Sequence, residues 1–145
     1  MYKVAIPIQV RFSDIDMFHH VNNTIYPAYI ELARLEYFRD HIHMDLKKES
    51  AFTVSFEINY KRSASFDDKL EVLLRTEEIG NSSLLMDYAV VSSEDNSIVF
   101  AHGKVKQVHV DPKTGKVIKV SDEVRLKVLE LEDLTKDDVY PSPLN

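Results

Sequence analysis

The chain reads as an α+β protein: one curved antiparallel sheet of five to six strands wrapped around a long central helix, with a second helix at the C-terminal end. Three observations lead there. Apolar residues alternate at strand period near the start and again from residue 52 onward. Between these stretches, from Ile25 to Tyr37, the period becomes helical. The later strands then follow one another without intervening helices, which is the pattern of an antiparallel sheet rather than a parallel α/β one.

Each element has its own reason. Val4, Ile6, Ile8, Val10 and Phe12 share one face of a first strand, and Pro7, which cannot donate to a ladder, puts that strand at an edge. Ile25, Tyr26, Tyr29, Ile30, Ala33 and Tyr37 recur at helical spacing. Leu32 and Leu35 widen the apolar face, so this helix is expected to be buried over most of its circumference. Pro27 is harmless only in a first turn, which puts the cap at Asn23 or Thr24. Lys47 to Ser50 form a polar connection. Phe52, Val54, Phe56, Ile58 and Tyr60 alternate along a second strand. Leu70 to Thr76 and Leu84 to Val91 are two more, split by Gly80-Asn81-Ser82-Ser83. Ile98 to Val110 is long enough to need a bulge, expected at Gly103 because the apolar phase slips between Val105 and Val108. Asp111 to Gly115 is a turn, from which Lys116 to Val120 can return as a hairpin strand. Ser121-Asp122-Glu123 caps a final helix ending near Glu132. One domain over residues 1–133 and a frayed tail over 134–145, with Pro141 and Pro143, complete the organisation.

Composition narrows the function classes. With no cysteine, disulfides, thiolate metal sites and a cysteine nucleophile are excluded. The three glycines, Gly80, Gly103 and Gly115, form no dinucleotide-binding or phosphate-loop motif. A net charge of −6 argues against nucleic acid as a general partner. No apolar run approaches the ~20 residues of a membrane span. The first residues lack the layout of a signal peptide, so the expected location is cytoplasmic. His41-x-His43 and His19-His20 lack the facing spacing of a helical zinc pair, so neither a metal nor another cofactor is expected.

The stretch Asp14-Ile15-Asp16-Met17-Phe18-His19-His20-Val21-Asn22-Asn23 carries the chemistry. It sets carboxylates, imidazoles and amides just before the long helix, whose first-turn N–H groups favour negative charge. A carboxylate there can attack a carbonyl or deprotonate water, while the helix start stabilises the oxyanion that develops. By itself, Asp-x-Asp is an ordinary turn former, and Asn22 and Asn23 are ordinary caps.

The run from Arg11 to Arg34, with its Asp-x-x-x-His-Val-Asn-Asn and Tyr-x-x-Tyr-x-Glu-x-Ala-Arg elements, resembles the opening motif of hotdog-fold acyl-CoA thioesterases of the 4-hydroxybenzoyl-CoA thioesterase-like family. The resemblance continues at Ile58 to Arg62, at Gly80 to Ser83 and at Val110 to Lys116. It implies that Asp16 is the catalytic carboxylate, that His20 and Asn22 shape the pocket floor, and that the N–H of Asn23 polarises the thioester carbonyl. It also implies a homodimer or homotetramer with active sites at the subunit interface and acyl-CoA as the substrate. Beside it stand an acyl-carrier-protein thioesterase and an acyl-CoA-binding protein without turnover. His19, a candidate substrate contact, sits where many relatives have glycine or a small polar residue, and its imidazole would narrow or re-polarise the pocket; Phe18 replaces the Asn that plant acyl-carrier-protein enzymes place two residues after the Asp. Lys61 and Arg62 are candidates for the coenzyme phosphates, and Lys104 and Lys106 could extend that patch. Ser83 is a candidate for pantetheine, and Tyr26 and Tyr29 for the acyl chain. Glu31 and Arg34 suit a helix-surface or interface ion pair.

Overall fold

The edge strand announced by Pro7 is present as β1 (Val4–Ile8), whose burial alternates residue by residue. It pairs only with β4 (Leu70–Ile79). A computed structural model describes residues 1–135 of the chain, so most of the expected tail lies outside the described residues. The sheet is antiparallel throughout, in the order β1-β4-β5-β6-β2, with β2 (Ser50–Phe56), β5 (Ser83–Ser92) and β6 (Val99–Val110). The short β3 (Asn59–Tyr60) also pairs with β6, which makes the sheet six-stranded.

The first helix is continuous from residue 23 to 41 but changes pitch twice. A 3-10 turn (Asn23–Ile25) leads into α1 (Tyr26–Glu36), and a π-helical turn (Tyr37–His41) ends it. The cap is Asn22, one residue before the expected position, because its side chain accepts the Thr24 N–H at 2.9 Å. Tyr26, Tyr29, Ile30, Ala33, Tyr37 and Phe38 are buried against the sheet, each full burial contributing about 1.5–3 kcal/mol for the larger side chains. Leu32 and Leu35 remain substantially exposed, so among the described residues only one face of the helix is covered. α2 (Asp122–Glu132) is capped by Ser121 Oγ, which accepts the Val124 N–H at 3.2 Å.

Four expectations are corrected. Phe12 does not continue the first strand: the chain turns after Val10 and leaves Phe12 85% exposed. Along β2, Phe52 and Val54 point outward and Thr53 inward, and a bulge at Val54 then shifts the phase so that Ser55 is exposed and Phe56 turns inward. In β6 the register runs unbroken past Gly103, and the extra residue is Phe100, opposite Val90 and Val91. The apparent slip in phase reflects Gln107 and His109 at inward positions, where polar partners receive them. Lys116 to Val120 forms a single bridge, Val110 with Val117, rather than a strand.

Gly103 has a different task. A Cβ there would lie 2.0 Å from the Glu57 carbonyl oxygen, which also accepts the Tyr88 hydroxyl at 2.7 Å. The chain between β2 and β3 therefore crosses β6 only because residue 103 has no side chain. Gly103→Ala is expected to destabilise the protein by about 2 kcal/mol or more, measured by urea unfolding monitored by circular dichroism.

Candidate active site

The loop before α1 is built from short-range polar contacts. Ile15 and Val21 form an antiparallel bridge that closes residues 16–20 into a tight loop. The Asp16 N–H donates to the His20 carbonyl at 2.9 Å, and the His19 N–H donates to the Asp16 carbonyl at 3.1 Å. Asp16 Oδ1 accepts from the N–H groups of Phe18 (2.9 Å) and His20 (3.4 Å). Its Oδ2 has no partner among the described residues, and Asp16 as a whole is half-buried. His19 adopts φ of 65°, the left-handed region that glycine enters most freely.

The loop is anchored to the rest of the molecule at several points. The Val21 N–H donates to the Ala64 carbonyl at 2.7 Å. The Tyr60 hydroxyl donates to the Asn23 carbonyl at 2.8 Å. Asn22 Oδ1 accepts both the N–H and the hydroxyl of Thr24, each at 2.9 Å. The N–H of Asn23, at the start of the helical run, has no partner among the described residues. A carboxylate and a helix-start donor with no partner among the described residues thus belong to one short, pinned segment, an arrangement suited to attack on a carbonyl.

The remaining predicted residues divide by place. Lys61 and Arg62 are exposed at the end of β3, and their N–H groups donate to the Phe100 carbonyl at 2.8 and 3.2 Å. They share the Asp16 end of the molecule through Tyr60 and Ala64. His19 and His20 are exposed there too, and neither imidazole has a hydrogen-bond partner among the described residues. Tyr26 is buried with its ring edge-on to Tyr60 and Tyr29. The Tyr29 hydroxyl donates to Asp14 at 2.8 Å. Ser83 is buried beside Val108, whereas Tyr60 pairs with Ala101, so about 23 Å of β6 separates Ser83 from the loop within one chain. Lys104 is engaged by Glu77 at 2.8 Å. Among the described residues no group of three or more acidic or imidazole side chains could hold a metal ion.

Two features escape a reading by spacing alone. Phe12, Met17, Phe18 and Phe66 expose apolar rings and a thioether around this end, with Phe12 edge-on to Phe66. Asp14 is 1% exposed, unlike a turn carboxylate. It accepts the Arg11 N–H at 3.0 Å, Arg11 Nε and Nη2 at 3.2 and 3.0 Å, and the Tyr29 hydroxyl. An Arg three residues before an Asp is the signal that spacing offered, but Tyr29 lies 15 residues away.

A curved antiparallel sheet wrapped around one long helix, with a second helix at the C-terminal end, defines the hotdog fold. The chain belongs to the thioesterase-like superfamily, whose sequence profile matches residues 10–128. It is 31% identical over 123 residues to the uncharacterised protein YsmA of Bacillus subtilis, covering 84% of this chain and 82% of that one. With the long-chain acyl-CoA thioesterase FadM of Escherichia coli it shares 28% identity over 127 residues, covering 86% of this chain and 96% of FadM. The crystal structure of a Thermus thermophilus thioesterase complexed with coenzyme A and zinc superposes with a TM-score of 0.79 at 29% identity, over 92% of this chain and 97% of that one.

Burial pushes the Asp14 carboxyl upward, but the hydrogen bonds from Arg11 and Tyr29 outweigh it and hold its pKa below the unfolded value of 3.8. Such a group adds stability that is present above pH 3.8 and lost as pH falls through its lower folded value. Asp14→Asn is therefore expected to cost about 1–3 kcal/mol at neutral pH. In urea unfolding, the gap between wild type and variant should narrow as the pH is lowered below that of the unfolded carboxyl.

Proposed function

We propose that the chain hydrolyses a fatty or aromatic acyl-CoA to the free acid and coenzyme A in the cytoplasm, with Asp16 as nucleophile or general base. What carries this reading is the pairing, in one pinned segment, of an Asp16 carboxylate with one oxygen tied down and one free, and the unpartnered N–H of Asn23. As the carbonyl carbon is attacked, its oxygen gains charge, and the Asn23 N–H with the aligned peptides behind it stabilises that charge. The carbon–sulfur bond then breaks, water supplies the oxygen of the acid, and the thiolate leaves and takes up a proton. His20 and Asn22 border this point, and the exposed Phe12, Met17, Phe18 and Phe66 give it an apolar rim. Lys61 and Arg62 meet the coenzyme phosphates. The relationship to FadM supports an acyl-CoA substrate.

The active unit is a homo-oligomer built on a dimer. Of the two sheet edges, β1 is blunted by Pro7, whereas β2 presents Phe52 and Val54 outward beside the exposed Leu32 and Leu35 of α1. Antiparallel pairing of β2 with its copy continues the sheet and covers these side chains. It also carries the Ser83 end of one subunit toward the Asp16 end of the other, so that Ser83 serves the site in trans.

Asp16→Asn should lower kcat by about 10²–10⁴-fold in a thiol-release assay across acyl-CoAs of graded length. Unchanged turnover would remove Asp16 from the mechanism. Wild type should sediment at twice the chain mass of 16.8 kDa or a multiple of it. Phe52→Glu should shift it toward the monomer with loss of activity, and a monomeric wild type would overturn the shared site.

A further inference from the structure

We propose that Asp14 is the positioning residue of this site: its buried carboxylate ties the reactive loop to the second turn of α1 and so sets where Asp16 and the Asn23 N–H stand. The inference rests on the thioesterase reading above for its chemistry, and on geometry alone for its mechanics.

The argument begins with what a turn carboxylate would look like. Such a group is solvated and serves one or two nearby N–H groups, as Asp111 does here with Lys113 and Thr114. Asp14 is buried and takes four hydrogen bonds. Three come from Arg11, at the end of the segment entering from β1. The fourth comes from Tyr29, on α1. Its main chain takes part as well: the Asp14 carbonyl accepts the Asn22 N–H at 2.9 Å. Asn22 is the helix cap and the neighbour of Asn23. A single residue therefore joins the strand end, the helix body and the helix cap, and Asp16 hangs two residues beyond it.

Reaction geometry makes that join matter. A near-attack arrangement requires the carboxylate, or the water it activates, and the N–H donor to keep a fixed separation. The Asp16 loop cannot supply this by itself. Its internal bonds fix its shape and the Val21 N–H holds it to Ala64, but neither reaches the body of α1. Asp14 with Tyr29 makes that tie, and Tyr60 on the Asn23 carbonyl holds the helix start.

Tyr29→Phe separates positioning from mere stability. It leaves Asp14 its three bonds from Arg11, so the chain folds, but removes the tie to the helix. Tyr37→Phe is the control. It removes a buried hydroxyl that bonds Thr76 and Glu132 at the far end of the same helix. Three quantities are read for each variant: kcat and KM by thiol release, Tm, and hydrogen exchange at the Asp16 and Asn22 amides. Tyr29→Phe is expected to lower kcat about ten-fold or more with KM held within about two-fold, and to speed exchange at both amides. Tyr37→Phe should lower Tm comparably while keeping kcat and that exchange at wild-type values. Wild-type kcat in Tyr29→Phe, a loss no larger than that of Tyr37→Phe, or a lower kcat with unchanged exchange would each overturn the proposal. If wild type releases no thiol from any acyl-CoA, the thioesterase reading fails instead. Exchange then decides alone: faster exchange at Asp16 and Asn22 supports the positioning role, and unchanged exchange overturns it.

Discussion

Burying one face of a single helix on a curved sheet is the constraint from which the rest of this structure follows. Tyr26, Tyr29, Ile30, Ala33, Tyr37 and Phe38 form that face, and the inward residues of β1, β4, β5 and β6 receive it. Aromatic side chains on a buried face bring hydroxyls with them, and a buried hydroxyl needs a partner. Tyr29 finds Asp14, and Tyr37 finds Thr76 and Glu132. Arg34, also on the buried side, donates to Glu31, Thr53 and Gln107. The polar contacts of the interior are thus consequences of the helix's composition, and they locate the helix along and across the sheet more sharply than apolar packing does.

That polar requirement also marks where the sequence could and could not be read. Period alone was enough for β1, for the helical run and for the unbroken series of later strands, because each burial pattern is local. The cap of α2 at Ser121 was legible for the same reason. Phase in β2 and β6 was not. Thr53, Gln107 and His109 point inward to meet Arg34 and Glu49, residues distant in sequence, and a pattern of apolar letters misreads those positions as slips. Gly103 stands out in the sequence as a special position, but its reason, the approach of the Glu57 backbone, is not visible from neighbouring residues. At the candidate site, the motif marked Asp16 to Asn23 as one unit. Asp14 looked like a turn residue because the partner that distinguishes it sits on the helix.

The two ends of the helical run are held differently. At the C-terminal end, Tyr37 reaches Glu132 of α2 and the Ile42 and Met44 N–H groups donate to the carbonyls of Tyr37 and Phe38. Nearby, buried His109 shares a hydrogen bond with Glu49, which also accepts the Ser121 hydroxyl at 2.7 Å. Burial lowers the His109 pKa against the opposing pull of Glu49, so the imidazole there is a neutral structural group. This end is closed by packing and by polar contacts, although the buried His109 Nε2 has no partner among the described residues. The N-terminal end is held by hydrogen bonds to backbone and to Asp14, and its loop side chains are left outside.

That asymmetry is informative because it costs stability where it occurs. Residues 16–20 put His19 in a left-handed conformation and expose Met17 and Phe18 to water, when a shorter polar turn would have joined Ile15 to Val21 without either penalty. A structural role gives no reason to keep them. A segment that must hold a carboxylate at the helix start, and border it with apolar surface, gives a reason for both. His19 lets the backbone fold back so that Asp16 Oδ1 can meet two N–H groups, and this leaves the second oxygen without a partner among the described residues. The strain and the exposed side chains are what the loop of the proposed hydrolytic site requires on a scaffold whose other end is closed by packing.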